Sequence, residues 1–153
     1  MGKSVLDNIL ELRFSEDMDW KTLLTKMSGE AIAKGWAKEG FTEAICTRES
    51  KYATGLQTSS SIDIAIPHAD AEWANEPAMI AAILDKPVIF EPMGGMGDQV
   101  NARFVFMLVI TDPNAHIDFL QAICGFIEDE ACMKELNETK DLSKLIDYLK
   151  ASM

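Results

Sequence analysis

Apolar and polar residues alternate loosely over Ile9 to Phe14 (ILELRF), the period of a short strand. The period then lengthens. Leu23, Leu24, Met27, Ala31 and Ile32 recur at helical spacing, which predicts a helix that Asp19 caps and that runs to about Trp36, with Gly35 and Gly40 bracketing its exit. Phe41 to Glu49 (FTEAICTRE) reads as a second helix, with Ala44 and Ile45 facing inward. Ser50 to Ser61 reads as a polar loop that holds Thr54-Gly55 and Ser59-Ser60-Ser61.

Strand patterns occupy the middle of the chain. Ile62 to Ile66 is one. Ala78 to Leu84 (AMIAAIL), bounded by Pro77 and by Asp85-Lys86-Pro87, is a second, and Val88 to Phe90 a third. Pro92 to Asp98 (PMGGMGD) is rich in glycine but lacks the GxGxxG spacing, and no helical run follows it; it reads as a turn and not as a phosphate cradle. Arg103 to Ile110 (RFVFMLVI) is nearly all apolar, as a central strand covered on both faces must be. Asp112-Pro113-Asn114 caps a helix whose apolar set is Ile117, Leu120, Ile123, Cys124 and Ile127. The carboxylates of Glu128-Asp129-Glu130 read as a solvated helix face, and a last helix covers Leu142 to Leu149 after Asp141 as its cap. Helices before and after a cluster of strands predict an α/β fold, a three-layer sandwich with a mixed central β-sheet flanked by helices on both faces. With no internal repeat, low-complexity tract or linker, one domain over residues 1–153 is expected.

Composition narrows the function. A hydrophobic content of 48% over 153 residues provides for a sizeable core. The formal net charge of -11 argues against nucleic acid and against an anionic membrane surface, both of which call for Lys and Arg. An acidic chain instead suits a partner with a basic docking face, or simply an acidic cytoplasmic protein. Three cysteines, Cys46, Cys124 and Cys132, form no CxxC pair, so neither a disulfide framework nor a zinc site is expected, and the compartment reads as reducing. Asp7 and Glu11 interrupt the N-terminal apolar residues, against a signal peptide, and no apolar run is long enough to cross a membrane. The start Met1-Gly2-Lys3-Ser4-Val5-Leu6 lacks the Ser or Thr at position six that a myristoylation signal carries.

The candidate chemistry begins at Ile64-Ala65-Ile66-Pro67-His68. Proline ends the pairing of a buried strand and biases Ile66 to extended geometry, so His68, one of only two histidines, stands on a stiff mount. Imidazole is largely neutral near pH ~7 and can serve as nucleophile or base; the plain alternative is a surface histidine after a turn. His116 falls in the first turn of the helix after the central strand, and Arg48 ends the second helix before the Thr54-Gly55 loop. Two imidazoles, a guanidinium and backbone N–H groups at a helix start would suit a phosphoryl group, whose transfer is mostly positioning and charge stabilisation. Alternatively Arg48 pairs with Glu43 or Glu49 and His116 is merely exposed. Asp70 and Asp118 beside the histidines leave a metal site open, although no spacing such as HExxH supports one.

Arg48-Glu49-Ser50-Lys51-Tyr52-Ala53-Thr54-Gly55-Leu56, followed by Ile64-Ala65-Ile66-Pro67-His68, resembles the signature of enzyme IIA domains of the bacterial phosphoenolpyruvate-dependent sugar phosphotransferase system, of the fructose/mannitol branch. The long loop between Gly55 and Ile64 and the tyrosine ahead of Thr-Gly are most similar to galactitol-type members. The resemblance extends to Ala33–Glu49 and to the central strand with His116-Ile117-Asp118-Phe119-Leu120. It implies a mannitol-type IIA fold and a phosphotransferase in which His68 takes a phosphoryl group from the phosphocarrier HPr and passes it to a cysteine of a IIB subunit. His116 and Arg48 would assist, and Thr54 and Gly55 would support the phosphate loop. No metal or organic cofactor is implied, and the membrane IIC subunit would be an indirect partner. The nitrogen-type IIA proteins, which signal by phosphorylation-dependent partner binding, are the alternative. Ala53 stands where the family commonly has proline, which leaves the loop carrying Thr54 looser. A nucleophilic imidazole further implies that transfer weakens between pH ~8 and ~5 as His68 protonates.

Overall fold

The structure is a computed structural model and describes residues 4–153; Met1, Gly2 and Lys3, the start of the segment weighed as an acylation signal, lie outside the described residues. The elements follow in the order β1 (Ile9–Phe14), α1 (Trp20–Ala33), α2 (Phe41–Lys51), β2 (Gly55–Leu56), β3 (Asp63–Ala65), β4 (Ala78–Phe90), β5 (Val100–Val109), α3 (Ala115–Ile127), α4 (Glu130–Thr139) and α5 (Ser143–Ser152). The five strands form one mixed sheet in the order β1-β4-β5-β3-β2. β1 runs parallel to β4, and β3 runs parallel to β5. The pairs β4–β5 and β2–β3 are antiparallel.

The unbroken apolar run of β5 follows from its central place. Side chains on a strand alternate between faces, so each face of the sheet takes half of the run. Phe104, Phe106 and Leu108 pack with Phe119, Ile123 and Phe126 of α3 and with α4 and α5. Val105, Met107 and Val109 pack with Leu23, Leu24 and Met27 of α1 and Phe41 and Ile45 of α2. Helices thus cover both faces, the three-layer sandwich that the pattern predicts.

Several elements differ from the sequence reading, each for a physical reason. Ala78–Leu84 and Val88–Phe90 are one strand, β4, because the antiparallel partner β5 carries the pairing past Asp85-Lys86-Pro87; the register shifts between Ile83 and Val88 to absorb that polar insert. The Ser50–Ser61 segment is not all loop. It holds the end of α2 and the two-residue strand β2 on β3. α1 stops at Ala33, short of Trp36, as the chain turns through Gly35 in the left-handed region. In α3 the inward side is Phe119, Ala122, Ile123, Phe126 and Ile127, whereas Ile117 is 44% exposed. α4 has no counterpart in the sequence reading; Asp129, taken there as part of a solvated face, caps it by accepting from the Cys132 N–H at 3.1 Å. Asp19 caps α1 as expected, accepting from the Thr22 N–H at 2.7 Å.

Candidate active site

β3 and β5 run parallel as neighbours, so the segments that leave their C-terminal ends emerge at one edge of the sheet, where open α/β sheets commonly form their crevice. His68 lies on the segment after β3 and His116 on the first turn of α3, after β5. Their rings stack with centroids 4.6 Å apart and an interplanar angle of 19°. Proline cannot continue a ladder as a donor, but its carbonyl can accept. The Leu108 N–H of β5 donates to the Pro67 carbonyl at 3.0 Å, so His68 is held against the central strand.

The backbone also sets the His68 tautomer. Its Nδ1 lies 3.1 Å from the Ile66 carbonyl oxygen, which can only accept, so Nδ1 carries the hydrogen and Nε2 keeps its lone pair. Burial pushes the His68 pKa down to about 4; the Ile66 carbonyl opposes this, while His116 and Arg48 add to it. The imidazole is therefore neutral at pH ~7. This moves the acid limit of a His68 reaction below the pH ~8 to ~5 window that an ordinary imidazole implies.

Arg48 stands in the last turn of α2. Its partner is Asp70, at 3.1 Å, and not Glu43 or Glu49, and its guanidinium carbon lies 5.4 Å from the Tyr52 ring centroid. Among the described residues, Arg48 Nε, His68 Nε2 and His116 Nδ1 are buried side-chain atoms without a hydrogen-bond partner. Buried polar atoms are nearly always partnered, so orphans on these three residues mark a place for a polar group. A tetrahedral anion supplies acceptors for an N–H and an electrophilic centre for a lone pair. A metal fits less well: among the described residues no cluster of three or more His, Cys, Asp or Glu is arranged to hold one.

Glu49 is the residue that the sequence reading passed over. It is 5% exposed, and its carboxylate accepts from the Thr54 N–H and the Thr54 hydroxyl, each at 2.8 Å. Burial pushes its carboxyl up to about 7, against the pull of the Thr54 donors and of Arg48. The signal was present in the helix period. Glu49 follows Phe41 and Ile45 at four-residue steps, which places a carboxylate on the buried stripe of α2. Thr54 is itself buried, so the bonds to Glu49 hold it despite Ala53 in the usual proline position. Gly55 serves close packing: a Cβ there would lie 2.6 Å from the Glu91 carbonyl oxygen and 2.9 Å from Val100 Cγ2.

The sequence profile described as phosphoenolpyruvate-dependent sugar phosphotransferase system, EIIA 2, matches residues 11–152. The chain belongs to that family. As an EIIA domain it is a phosphotransferase component of sugar uptake. Its relatives include the galactitol-specific EIIA component of Escherichia coli strain K12, 25% identical over 119 residues that cover 78% of each chain. Among solved structures, the EIIA fold here is similar to that of a complex of enzyme IIAMTL and phosphorylated enzyme IIBMTL from Escherichia coli (TM-score 0.72, 19% identity, 99% of both chains covered). It is also similar to nitrogen regulatory protein IIA-Ntr from Neisseria meningitidis (TM-score 0.65, 16% identity, 94% of both chains). At these identities the structural likeness speaks for the fold alone. No helix among the described residues of the EIIA chain is long and apolar enough to cross a membrane.

Proposed function

We propose that His68 Nε2 is the phosphoryl acceptor of this EIIA chain, that the donor is phospho-HPr, and that the phosphoryl group passes on to a cysteine of a IIB subunit. One observation carries the reading: His68 holds a hydrogen on Nδ1 through Ile66 and leaves Nε2 unpartnered, in a ring that stacks on His116, which has an unpartnered nitrogen of its own. In the transfer step a P–Nε2 bond forms as the bond from phosphorus to the donor breaks. Nδ1 keeps its hydrogen, so the phosphorylated ring is cationic in a poorly solvated place. Such a ring leaves readily, which suits a relay better than a store. Arg48 brings a positive charge to the phosphoryl oxygens, and His116, through its unpartnered Nδ1, offers a second polar contact. Thr54 and Gly55 act indirectly, by fixing the segment on which His68 stands.

The galactitol-specific EIIA relative supports galactitol as the sugar served; in the same proposal a membrane IIC subunit recognises the sugar and the whole chain acts as one cytoplasmic domain. The phosphorylated IIB seated on the mannitol relative supports IIB as the next carrier. Incubation with enzyme I, HPr and phosphoenolpyruvate, followed by mapping of the phosphosite, tests the proposal. Label on His68, lost in His68→Ala, is the expected result; label that persists in His68→Ala overturns it.

A further inference from the structure

A chain of hydrogen bonds leads away from His68 to a buried carboxylate with no place in the transfer chemistry. His68 Nδ1–H donates to the Ile66 carbonyl at 3.1 Å. The N–H of the same residue, Ile66, donates to Thr54, lying 3.2 Å from Oγ1 and 3.3 Å from the carbonyl oxygen. The Thr54 hydroxyl and N–H in turn donate to Glu49, one to each carboxylate oxygen. On the opposite side the Pro67 carbonyl is tied to Leu108 of β5. The segment carrying the histidine is thus clamped from two sides, and Glu49 anchors one of them.

We propose that Glu49 is a positioning residue for His68: through Thr54 it fixes the Ile66 carbonyl that selects the Nδ1–H tautomer and leaves Nε2 free to react.

The effect is one of position. The Ile66 N–H and the Ile66 carbonyl belong to successive peptide units, so the carboxylate charge is not conducted to the imidazole. What passes along is the location of residue 66. A carboxylate suits the task because it offers two acceptors in a fixed plane, and Thr54 presents two donors, one from backbone and one from side chain. The placement also explains why an acidic group is tolerated on the buried stripe of α2: both its oxygens are satisfied. Replacing Glu49 by Gln keeps the scaffold. The amide oxygen accepts from the Thr54 N–H, and the amide nitrogen donates to the hydroxyl, which still accepts from Ile66. Replacing it by Ala removes both acceptors, leaves two buried donors unpaired and frees the loop.

The kinetic arm of the test rests on the acceptor role proposed for His68, whereas the tautomer arm does not. The protein holds only two histidines, so the ring nitrogens of His68 can be assigned by 15N NMR on the unphosphorylated chain. In the wild type and in Glu49→Gln, the spectrum is expected to report the Nδ1–H tautomer of His68. In Glu49→Ala, it is expected to report a mixture, with labelling by phospho-HPr slowed by about tenfold to a hundredfold. Thr54→Val removes the hydroxyl links to Glu49 and Ile66 while keeping the side-chain shape and the backbone links, and carries the test of those hydroxyl links should Glu49→Ala not fold. A wild-type His68 tautomer in folded Glu49→Ala or Thr54→Val overturns the proposal, as does a Glu49→Gln variant that loses the tautomer as fully as Glu49→Ala. Failure of phospho-HPr to label the wild type would overturn the function proposed for His68 and leave the tautomer result to judge Glu49 by itself.

Discussion

His116 lies flat against His68, ring on ring, with centroids 4.6 Å apart. The two residues come from the ends of parallel neighbouring strands, and the stacking presents the His116 ring to the same small space as the unpartnered Nε2 of His68. Both rings have a buried nitrogen without a partner, but of the two only His68 has its other nitrogen held by a backbone carbonyl. The pair is therefore unequal, which fits one acceptor and one assistant.

Replacement of His116 by Ala should leave His68 as the labelled residue while slowing labelling by about a hundredfold or more, the scale of losing one preorganised group beside a transferring anion. Rapid-quench labelling with phospho-HPr reads the rate, and peptide mapping reads the site. Label on another residue, or an unchanged rate, would remove His116 from the assisting role.

Arg48→Lys should separate charge from geometry. The ion pair of Arg48 with Asp70 is partly exposed and contributes about 1 kcal/mol or less, so urea unfolding should scarcely change. Labelling should nevertheless slow by about tenfold or more, because an ammonium lacks the planar fork that guanidinium presents to a phosphoryl group. Equal rates for the wild type and Arg48→Lys would show that only the positive charge matters.

The acid limit of labelling follows from the depressed pKa of His68. Its lone pair is lost only on protonation, and burial places that step at about 4. About nine-tenths of the imidazole is still neutral at pH ~5, so the His68 contribution to the rate should persist there and be halved near pH ~4. A half-loss at pH ~6.5, the value of an ordinary imidazole, would show that His68 is not desolvated.

Stability should respond to pH through two opposed groups. Between about 4 and 6.5, unfolded His68 binds a proton that the folded state does not, so this group makes stability rise with pH. Between 4.5 and about 7, folded Glu49 holds a proton that the unfolded state has released, so this group makes stability fall with pH. The two slopes, each at most about 1.4 kcal/mol per pH unit, largely cancel where they overlap. Denaturant titrations of Glu49→Gln should uncover a rising slope over that range, and those of His68→Gln a falling one. Identical profiles for both variants and the wild type would contradict these shifts.

Gly55→Ala should destabilise the fold by about 1–3 kcal/mol, because the new methyl has to displace the Glu91 backbone or Val100. Chemical denaturation checks the loss. A neutral result would mean that β2 can shift without disturbing its neighbours.

The legible features are those with a local cause. Asp19 caps α1 because a short carboxylate reaches the third residue on, and the apolar run of β5 marks a strand buried on both faces wherever it is placed. Pro67 has no N–H to donate and so interrupts the ladder of β3 in any context, although its carbonyl still accepts from Leu108. The missed features have causes far off in sequence. Asp85-Lys86-Pro87 looks like a break until β5 carries β4 across it, and Gly55-Leu56 is a strand only because β3 lies beside it. Ile117 has the right chemistry for a core, yet the turn after β5 leaves it exposed and aims Phe119, which the helical set lacked, at the sheet.

The residues of the site divide in the same way. A histidine behind a strand-ending proline, an arginine at a helix end and a second histidine at a helix start are written into the chain and point to anion chemistry. Which nitrogen of His68 is free, that Arg48 faces Asp70, and that Glu49 anchors the mount through Thr54 depend on hydrogen bonds between segments. Residue type and short-range period determine which groups are present and which local elements carry them. Only the packing of parallel strands β3 and β5 decides that His68 and His116 meet, because a hydrogen bond or a ring contact depends on distances that tertiary structure alone sets.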